Sequence, residues 1–321
     1  MNFQTYVDTG NCPLAIEHRD QLMMLGSCFA EEVGERLQQS MLNVCINPFG
    51  TLYNPASIAS ALHRLIDGTP YEAASLTHHA EMWHSMDHHS RFSSVDAGKA
   101  LAAINASLKQ GSEALRQARH LIVTFGTAYV FSHDGKVVAN CHKMPAAEFE
   151  RKRMDIDEIT SQWLPLIDEL RALNPNLQLT FTVSPVRHLA DGAHGNQTSK
   201  ATLLLAVDRI VAAREACHYF PSYEIVLDQL RDYRFFAADM AHPSTVAVDY
   251  VAERFMESCL TPQAQAAATR CRKVYARLLH RQLTDDNAAA ERFRQATVAA
   301  AQSLIADLPH AKPIIDKLLK K

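Results

Sequence analysis

Short apolar runs alternate along the chain with longer stretches in which apolar residues recur at helical spacing. The runs QLMML and HLIVTF are almost continuously apolar, which is typical of strands buried on both faces of a parallel sheet. Three further short runs, NVCIN, QLTFTV and the segment at 217–220, have the same character. The pattern therefore predicts strands at 21–25, 43–47, 120–125, 178–183 and 217–220.

Helical periodicity fills the intervals between these strands. It predicts helices at 30–39, 56–66, 97–119, 156–173, 199–216 and 246–259. A hairpin is expected where the segments 129–131 and 137–139 flank Asp134-Gly135, because Asp-Gly supplies the residue with positive φ that a tight turn needs. Strands that alternate with helices form βαβ units. We expect a three-layer α/β/α fold with a flavodoxin-like parallel sheet of about five strands.

The chain changes character after Thr261. From there it is rich in Ala, Arg and Gln and has no strand signal, and two helical stretches are separated near 284–287. This predicts an α/β domain at 1–260 followed by a helical C-terminal appendage at 261–321.

Composition narrows the functional classes. The 321 residues carry 32 Lys and Arg against 35 Asp and Glu, a net charge of −3, which argues against a strongly basic nucleic-acid-binding protein. No apolar run approaches the ~18 residues of a spanning helix, and the first residues do not resemble a secretory signal. The seven cysteines are scattered, without a CxxC pair. A reduced, cytoplasmic protein is expected.

Loops rich in small and polar residues follow the predicted strands. In an open parallel sheet, ligands bind beyond the carboxyl ends of the strands. The loops GSCFA, NPFGTLYN, GTA and SPVRH each follow one strand, and DMAHP stands just before the last helix of the α/β region. We therefore expect these segments to converge on one edge of the sheet and to form the functional site.

The first loop carries the sharpest chemistry. Gly26 leads from a strand directly toward a helix, so Ser27 and Cys28 lie near the helix N-terminus, where the dipole favours a thiolate and free N–H groups bind an oxyanion. A thiolate there predicts a Cys28 pKa below the usual value of about 8.5. The alternative is structural: Ser27 caps the helix and Cys28 is a small buried apolar residue.

Two further groups of residues suit the same edge. Asp239 and His242 are three residues apart, a spacing that lets a carboxylate orient an imidazole, although a surface Asp beside a loop His is the simpler alternative. Arg187 and His188 follow the fourth strand. Arg187 is a candidate for binding a carboxylate or phosphate, or alternatively for a structural salt bridge.

With these strings in place, the chain resembles the GSCFA family, which is related to the SGNH, or GDSL-like, hydrolases. The resemblance covers about 1–260. It is carried by GSCFA at 26–30, NPFG at 47–50, WHSMDHHSRFS at 83–93, NCHK at 140–143, SPVRH at 184–188 and DMAHPS at 239–244.

The resemblance implies site roles residue by residue. The SGNH nucleophile block Gly-Asp-Ser aligns with Gly26-Ser27-Cys28, which puts Cys28 in the nucleophile slot and leaves Ser27 as the rival nucleophile. Gly50 matches the glycine whose N–H serves the oxyanion hole, and Gly126 stands in the third block. The Asn of that block is absent, so the resemblance leaves its oxyanion role to a substitute, Asn140 or His142. The last block, Asp-x-x-His, is matched in full by Asp239 and His242.

The histidines at 83–93 form a loop-like stretch without helical or strand period. Imidazoles are common metal ligands. The stretch nevertheless lacks a His-Glu-x-x-His string. A substrate-binding loop that includes His84, His88 and His142 is therefore the leading interpretation, and a metal site or a purely structural segment are the alternatives.

These observations lead to one main functional hypothesis. We expect an acyl-ester hydrolase or acyltransferase that uses a Cys (or Ser)-His-Asp triad on a small-molecule or carbohydrate acyl ester, without a cofactor. A non-catalytic carbohydrate- or ligand-binding module on a degenerate hydrolase scaffold is the second hypothesis, motivated by the missing Asn. A metal-dependent hydrolase that uses the His-rich loop is the third.

Overall fold

The structure is a computed structural model that describes residues 4–10, 14–280 and 287–319. In chain order its strands are β1 (Gln21–Gly26), β2 (Asn43–Ile46), β3 (Thr77–His79), β4 (Met82–His84), β5 (His120–Phe125), β6 (Tyr129–His133), β7 (Lys136–Val138), β8 (Glu150–Arg153), β9 (Gln178–Val183) and β10 (Cys217–Tyr219). Its helices are α1 (Cys28–Gln39), α2 (Pro55–Asp67), α3 (Ala97–Gln117), α4 (Ile156–Leu173), α5 (Gly192–Ala213), α6 (Ser222–Glu224), α7 (Thr245–Cys259), α8 (Pro262–Leu278), α9 (Asn287–Asp307) and α10 (Lys312–Leu319).

A five-stranded parallel sheet forms the centre, in the order β2-β1-β5-β9-β10. The sequence prediction of a flavodoxin-like α/β fold is confirmed, since this is the 2-1-3-4-5 order typical of that class. The order reverses between β1 and β5, because the chain adds β2 on one side of β1 and every later core strand on the other. The loops that follow β1 and β5 therefore lie at a topological switch point, where open sheets bind ligands.

Alternate residues of the central strands supply the two cores. On β1, Met23 and Leu25 pack against one face with residues of α2 to α5. Leu22 and Met24 pack against the other face with residues of α1 and α7. Both faces are covered, which explains why the strands are continuously apolar in sequence.

Several elements lie outside the sequence predictions. The hairpin β3–β4 turns through Ala80 and Glu81, both with positive φ, so the usual Asn-Gly or Asp-Gly signal is absent. The 83–93 stretch is therefore partly strand and not a plain loop. The predicted hairpin is present as β6 and β7, and β8 adds a third strand to it. Helix α5 begins at Gly192 rather than at 199, through a segment whose two glycines are poor helix formers.

The C-terminal region is helical, as the sequence predicts. Helices α8, α9 and α10 share a small apolar cluster with Met41, which lies just after α1. The break predicted at 284–287 falls largely outside the described residues, as does Cys12. In the described part of the chain, no helix is long and apolar enough to cross a membrane.

Candidate functional site

Gly26 is the last residue of β1, and only Ser27 separates it from the start of α1. Its φ is +146°, and a Cβ atom there would lie 2.3 Å from the backbone oxygen of Thr124, so only glycine fits without displacing the neighbouring strand. The Gly26 N–H donates to Oδ1 of Asn47, at 2.9 Å. Asn47 thereby joins the loop after β2 to the loop after β1. Helix α1 then begins at Cys28.

Ser27 and Cys28 differ in how they meet solvent. Ser27 is 1% exposed, and within the described residues its hydroxyl has no hydrogen-bond partner and makes no helix-capping bond. Its Cβ lies 3.5 Å from the point where a Cβ on Gly126 would be, so the side chain packs beneath the loop after β5. Cys28 is only partly buried. Of the two, Cys28 is the side chain that solvent reaches.

The Cys28 thiol is not a resting thiolate. Burial raises its pKa above the usual value, and the carboxylates of Glu32 and Glu31 raise it further. The N–H groups of Phe29 and Cys28 at the helix start oppose this effect without reversing it. The expectation of a lowered thiol pKa is therefore wrong in direction, because the helix terminus is outweighed by desolvation and by acidic residues one turn along. A nucleophilic role for Cys28 would therefore require a base.

A buried lysine lies under the site and was missed by the sequence predictions. Lys200 of α5 is 1% exposed, and its Nζ donates to the carbonyl oxygens of Gly126 and Ser184, each at 2.6 Å. These carbonyls directly follow β5 and β9, so the ammonium ties two neighbouring strand ends together. Desolvation lowers the Lys200 pKa to about 7, and the interaction with Cys28 opposes that shift.

A signal for Lys200 does exist in the sequence. It falls on the apolar stripe of α5, three and seven residues before Leu203 and Val207, where a solvated lysine is not expected. A charged residue within the apolar stripe of a helix, at the carboxyl edge of a sheet, therefore indicates a candidate site residue.

The predicted oxyanion glycines are close to the site but already bonded. The Gly50 N–H donates to the carbonyl of Asn47 at 2.8 Å, and the Gly126 N–H donates to the carbonyl of Tyr53 at 2.7 Å. An oxyanion role for either would require these bonds to open, and stays a prediction. At the start of α1, the N–H groups of Cys28 and Phe29 belong to the first turn, whose donors have no partner within the helix.

Asp239 and His242 form the pair that their spacing predicts. Oδ2 of Asp239 lies 2.6 Å from Nδ1 of His242, and Oδ1 accepts the backbone N–H groups of Ala241 and His242. These bonds lower the pKa of Asp239 to about 2. Burial raises the pKa of Glu32, and the charges of Arg36 and His242 oppose that shift, so the imidazole is within electrostatic range of α1, the helix that begins at Cys28. The carboxylate leaves the other ring nitrogen of His242 available for proton transfer.

Arg187 and His188 connect this pair to the strand edge. The Arg187 N–H donates to the carbonyl of Ala241 at 3.0 Å. The ring of His188 meets that of Tyr53 edge-on at 6.2 Å, and its Nε2 is buried with no hydrogen-bond partner among the residues that the structure describes. Burial and the charge of Lys200 lower the His188 pKa to about 4, so this imidazole is neutral at pH 7.

The His-rich segment supports the loop after β2. The ring of His88 stacks on Phe49 at 4.5 Å, and its Nδ1 bonds the hydroxyl of Ser85. His84 stacks on His142 at 4.4 Å, and His142 bonds the carbonyl of Ser85 through Nε2. The three histidines are buried. These contacts form a histidine cluster that packs against the loop after β2. A substrate-binding role for these side chains stays a prediction.

Asn140 belongs to the same histidine cluster. Its Oδ1 accepts the backbone N–H of His142 at 2.8 Å, and its own N–H donates to the carbonyl of Met86. Its part in an oxyanion hole stays a prediction. Across the described residues, no group of three or more His, Cys, Asp or Glu side chains is arranged to hold a metal ion.

Comparisons with known proteins relate the chain to one protein family. No curated protein matches the chain. Among solved structures, the chain is similar to an acetyl xylan esterase (Est2A) from the rumen bacterium Butyrivibrio proteoclasticus, at 13% identity and a TM-score of 0.36. That match covers 75% of this chain and 63% of the esterase. The description of one protein family, the GSCFA family, fits residues 21–255, which include the GSCFA loop, Lys200 and the Asp239–His242 pair. The chain belongs to the GSCFA family.

Proposed function

We propose that this protein is an acyl-ester hydrolase or acyltransferase whose nucleophile is Cys28. The observation that carries the proposal is the Asp239–His242 pair, which is joined at 2.6 Å and lies near α1. Helix α1 begins with Cys28, whose side chain is partly exposed. A carboxylate-oriented imidazole beside an accessible thiol is the arrangement of covalent acyl-transfer enzymes. The substrate is a small-molecule or carbohydrate acyl ester.

The reaction proceeds in two balanced steps. His242 accepts the Cys28 proton while sulfur attacks the acyl carbonyl carbon, and the imidazolium then protonates the departing alkoxide as the ester C–O bond breaks. Water, or another hydroxyl acceptor, then gives its proton to His242 and attacks the thioester. The C–S bond breaks and the sulfur regains its proton.

Asp239 and Lys200 have supporting roles in this scheme. The low pKa of Asp239 keeps it ionised, so it holds the His242 tautomer and stabilises the imidazolium. The ammonium form of Lys200 brings positive charge toward Cys28, which favours the attacking thiolate and the oxyanion that follows. The free N–H groups at the start of α1 supply direct donors to that oxyanion.

One observation favours a second candidate, a ligand-binding module without turnover. The N–H groups of Gly50 and Gly126 are both bonded to carbonyls, so two donors of the expected oxyanion hole are occupied in this conformation. A scaffold that has lost its catalytic donors would still bind an acyl ester at the same edge.

Intact-mass measurement after exposure to 4-nitrophenyl acetate tests the proposal. We expect a single acetyl adduct that maps to Cys28 and is absent from Cys28→Ala. Ser27→Ala should retain the adduct, because Ser27 is buried beneath the Gly126 loop. Cys141→Ala is the matched control, since Cys141 is also a partly buried cysteine but lies away from α1.

The alternatives give different results. An adduct on Ser27 would show that Ser27, and not Cys28, is the nucleophile. Ester turnover at the wild-type rate in both Cys28→Ala and Ser27→Ala would remove the proposed mechanism. Absence of any adduct and of any turnover would favour the binding module.

A further inference from the structure

A cleft of about 280 Å³ opens beside the Asp239–His242 loop. Its walls come from the loop after β9, the start of α5, the turn of helix at 225–230 and the segment that follows it. The residues that define it are Arg187, Asn196, Tyr223, Arg231, Tyr233 and Phe236. Its volume is at the lower end of the range for ligand pockets, roughly 300 Å³ and above, so it suits a small molecule.

Arginines outnumber acidic side chains in the lining of the cleft. Neither Arg187 nor Arg231 takes part in any ion pair found within the described residues, and the guanidinium of Arg187 has only a long bond, 3.5 Å, to the carbonyl of Met240. One carboxylate, Asp232, also lines the cleft, but it bonds the backbone N–H of Arg234 and pairs with that side chain at 3.7 Å.

Asn196 adds a neutral donor to the two guanidinium groups. The residue is 6% exposed, and its Oδ1 accepts the His188 N–H at 2.9 Å, which fixes the orientation of the amide. In the described part of the chain, its Nδ2 donates to no protein group. An oriented amide donor beside two unpaired guanidinium groups is suited to an anionic head group.

The opposite wall is apolar and aromatic. Val226, Leu227 and Phe236 line it, and Tyr233 stands at the rim with 67% of its surface exposed. The Tyr223 hydroxyl donates to Gln197, so its ring is held in place. A ligand here therefore needs an apolar body as well as an anionic head.

The backbone of this wall is unusual. Ile225–Leu230 forms a π-helical turn, and it ends at Arg231 with φ of 37° and ψ of 35°, the left-handed region that non-glycine residues seldom adopt. π-turns are concentrated at functional sites, and strained residues persist where the surrounding structure holds them. Here both features set the direction in which the Arg231 side chain leaves the chain.

A residue that lines the cleft is bonded to the proposed catalytic loop. The Arg187 N–H donates to the carbonyl of Ala241, the residue directly before His242. We propose that this cleft is the substrate subsite and that it selects amphipathic anions, molecules in which a carboxylate or phosphate is attached to a short apolar or aryl group. The inference that the bound anion is a substrate rests on the proposed function, whereas the binding itself does not depend on Cys28.

Titration calorimetry with three small probes tests this selectivity. We expect 4-phenylbutyrate and phenyl phosphate to bind. The neutral amide 4-phenylbutanamide should bind at least about tenfold more weakly, because it lacks the charge that pairs with the guanidinium groups. A preference between the two anions identifies whether carboxylate or phosphate is the favoured head. Affinity for the anions should fall as salt rises.

Variants separate the subsite from general surface charge. Arg187→Gln and Arg231→Gln should each weaken anion binding about tenfold. The matched control Arg292→Gln removes an exposed arginine of α9 that does not line the cleft, and should bind as the wild type does. The thermal unfolding midpoint of each variant checks that it is folded. Equal binding of the amide and the anions, no binding of either anion, or an equal loss in the Arg292 variant would overturn the proposal.

The Cys28→Ala protein distinguishes this inference from the proposed function. It should bind the anions with unchanged affinity. If no acyl adduct forms on the wild type while anion selectivity is present, the catalytic proposal fails and the subsite stands. If the adduct forms and the selectivity is absent, the reverse holds.

Discussion

The buried ammonium of Lys200 predicts a specific dependence of stability on pH. The pKa of this group falls from 10.5 to about 7 on folding, because burial disfavours the charged form. At about 1.4 kcal/mol per pKa unit, this corresponds to at most about 5 kcal/mol. The two carbonyl bonds of Lys200 return part of that cost when the group is charged.

The sign follows from proton binding. Between pH 7 and pH 10.5 the unfolded chain holds the Lys200 proton and the folded chain does not, so the free energy of unfolding rises with pH in this window. Below pH 7 both states are protonated and the full penalty applies. Above pH 10.5 both are neutral and the penalty vanishes. This one group contributes a slope of up to about 1.4 kcal/mol per pH unit.

Lys200→Met removes this contribution. We expect urea unfolding at pH 7, 8 and 9 to give a shallower rise for the variant, with the difference approaching one proton per molecule. The difference in slope is the readout, because loss of the bonds to Gly126 and Ser184 lowers the stability of the variant by an amount that does not depend on pH. Lys109→Met, which removes an exposed lysine of α3, should leave the slope unchanged. Equal slopes for Lys200→Met and the wild type would show that Lys200 stays protonated throughout and would refute the reasoning.

Three further predictions concern the loops around Cys28. Gly50→Ala should cost more than about 2 kcal/mol in urea unfolding, because its φ is +78° and the new Cβ would lie 2.2 Å from a side-chain atom, whereas Gly135→Ala, at φ +75° with open space, should cost only about 1 kcal/mol; equal costs would contradict the steric argument. Asp239→Asn should slow acetylation by 4-nitrophenyl acetate at least ~100-fold at pH 7, since the imidazole loses its orienting carboxylate; a rate within twofold of wild type would argue against the triad. Glu32→Gln should lower the Cys28 pKa and speed iodoacetamide alkylation at pH 8, and an unchanged pH profile would mean that burial alone sets this pKa.

The sequence by itself determined the central sheet. Strands buried on both faces must be apolar at every position, so QLMML and HLIVTF were recognisable without any contact information. The spacing of Asp239 and His242 likewise predicted their pairing, because three residues of loop bring a carboxylate and an imidazole within reach of each other. The sequence also placed Cys28 near the start of a helix, although periodicity predicted that helix from residue 30 and the structure begins α1 at Cys28.

Only the tertiary structure decided the electrostatics of the site. The pKa of Cys28 depends on how deeply the thiol is buried and on the side chain of Glu32, and the helix terminus that the sequence emphasised is the weaker influence. Lys200 is distant in sequence from Gly126 and Ser184, so its contact with both carbonyls depends on the packing of α5 across two strand ends. Desolvation and long-range hydrogen bonds are properties of the assembled chain, which local sequence patterns do not encode.

The cleft beside the Asp239–His242 loop shows the same division. Apart from Arg187, none of its residues stands out in the sequence, and Arg187 and Arg231 are separated by α5, β10, α6 and the π-helical turn at 225–230. Their convergence depends on the order of the parallel strands and on the π-turn that ends at Arg231. Periodicity determined which segments enter the core, because burial repeats along a strand or helix, whereas the meeting of distant polar side chains was decided only when the sheet brought its loops to one edge.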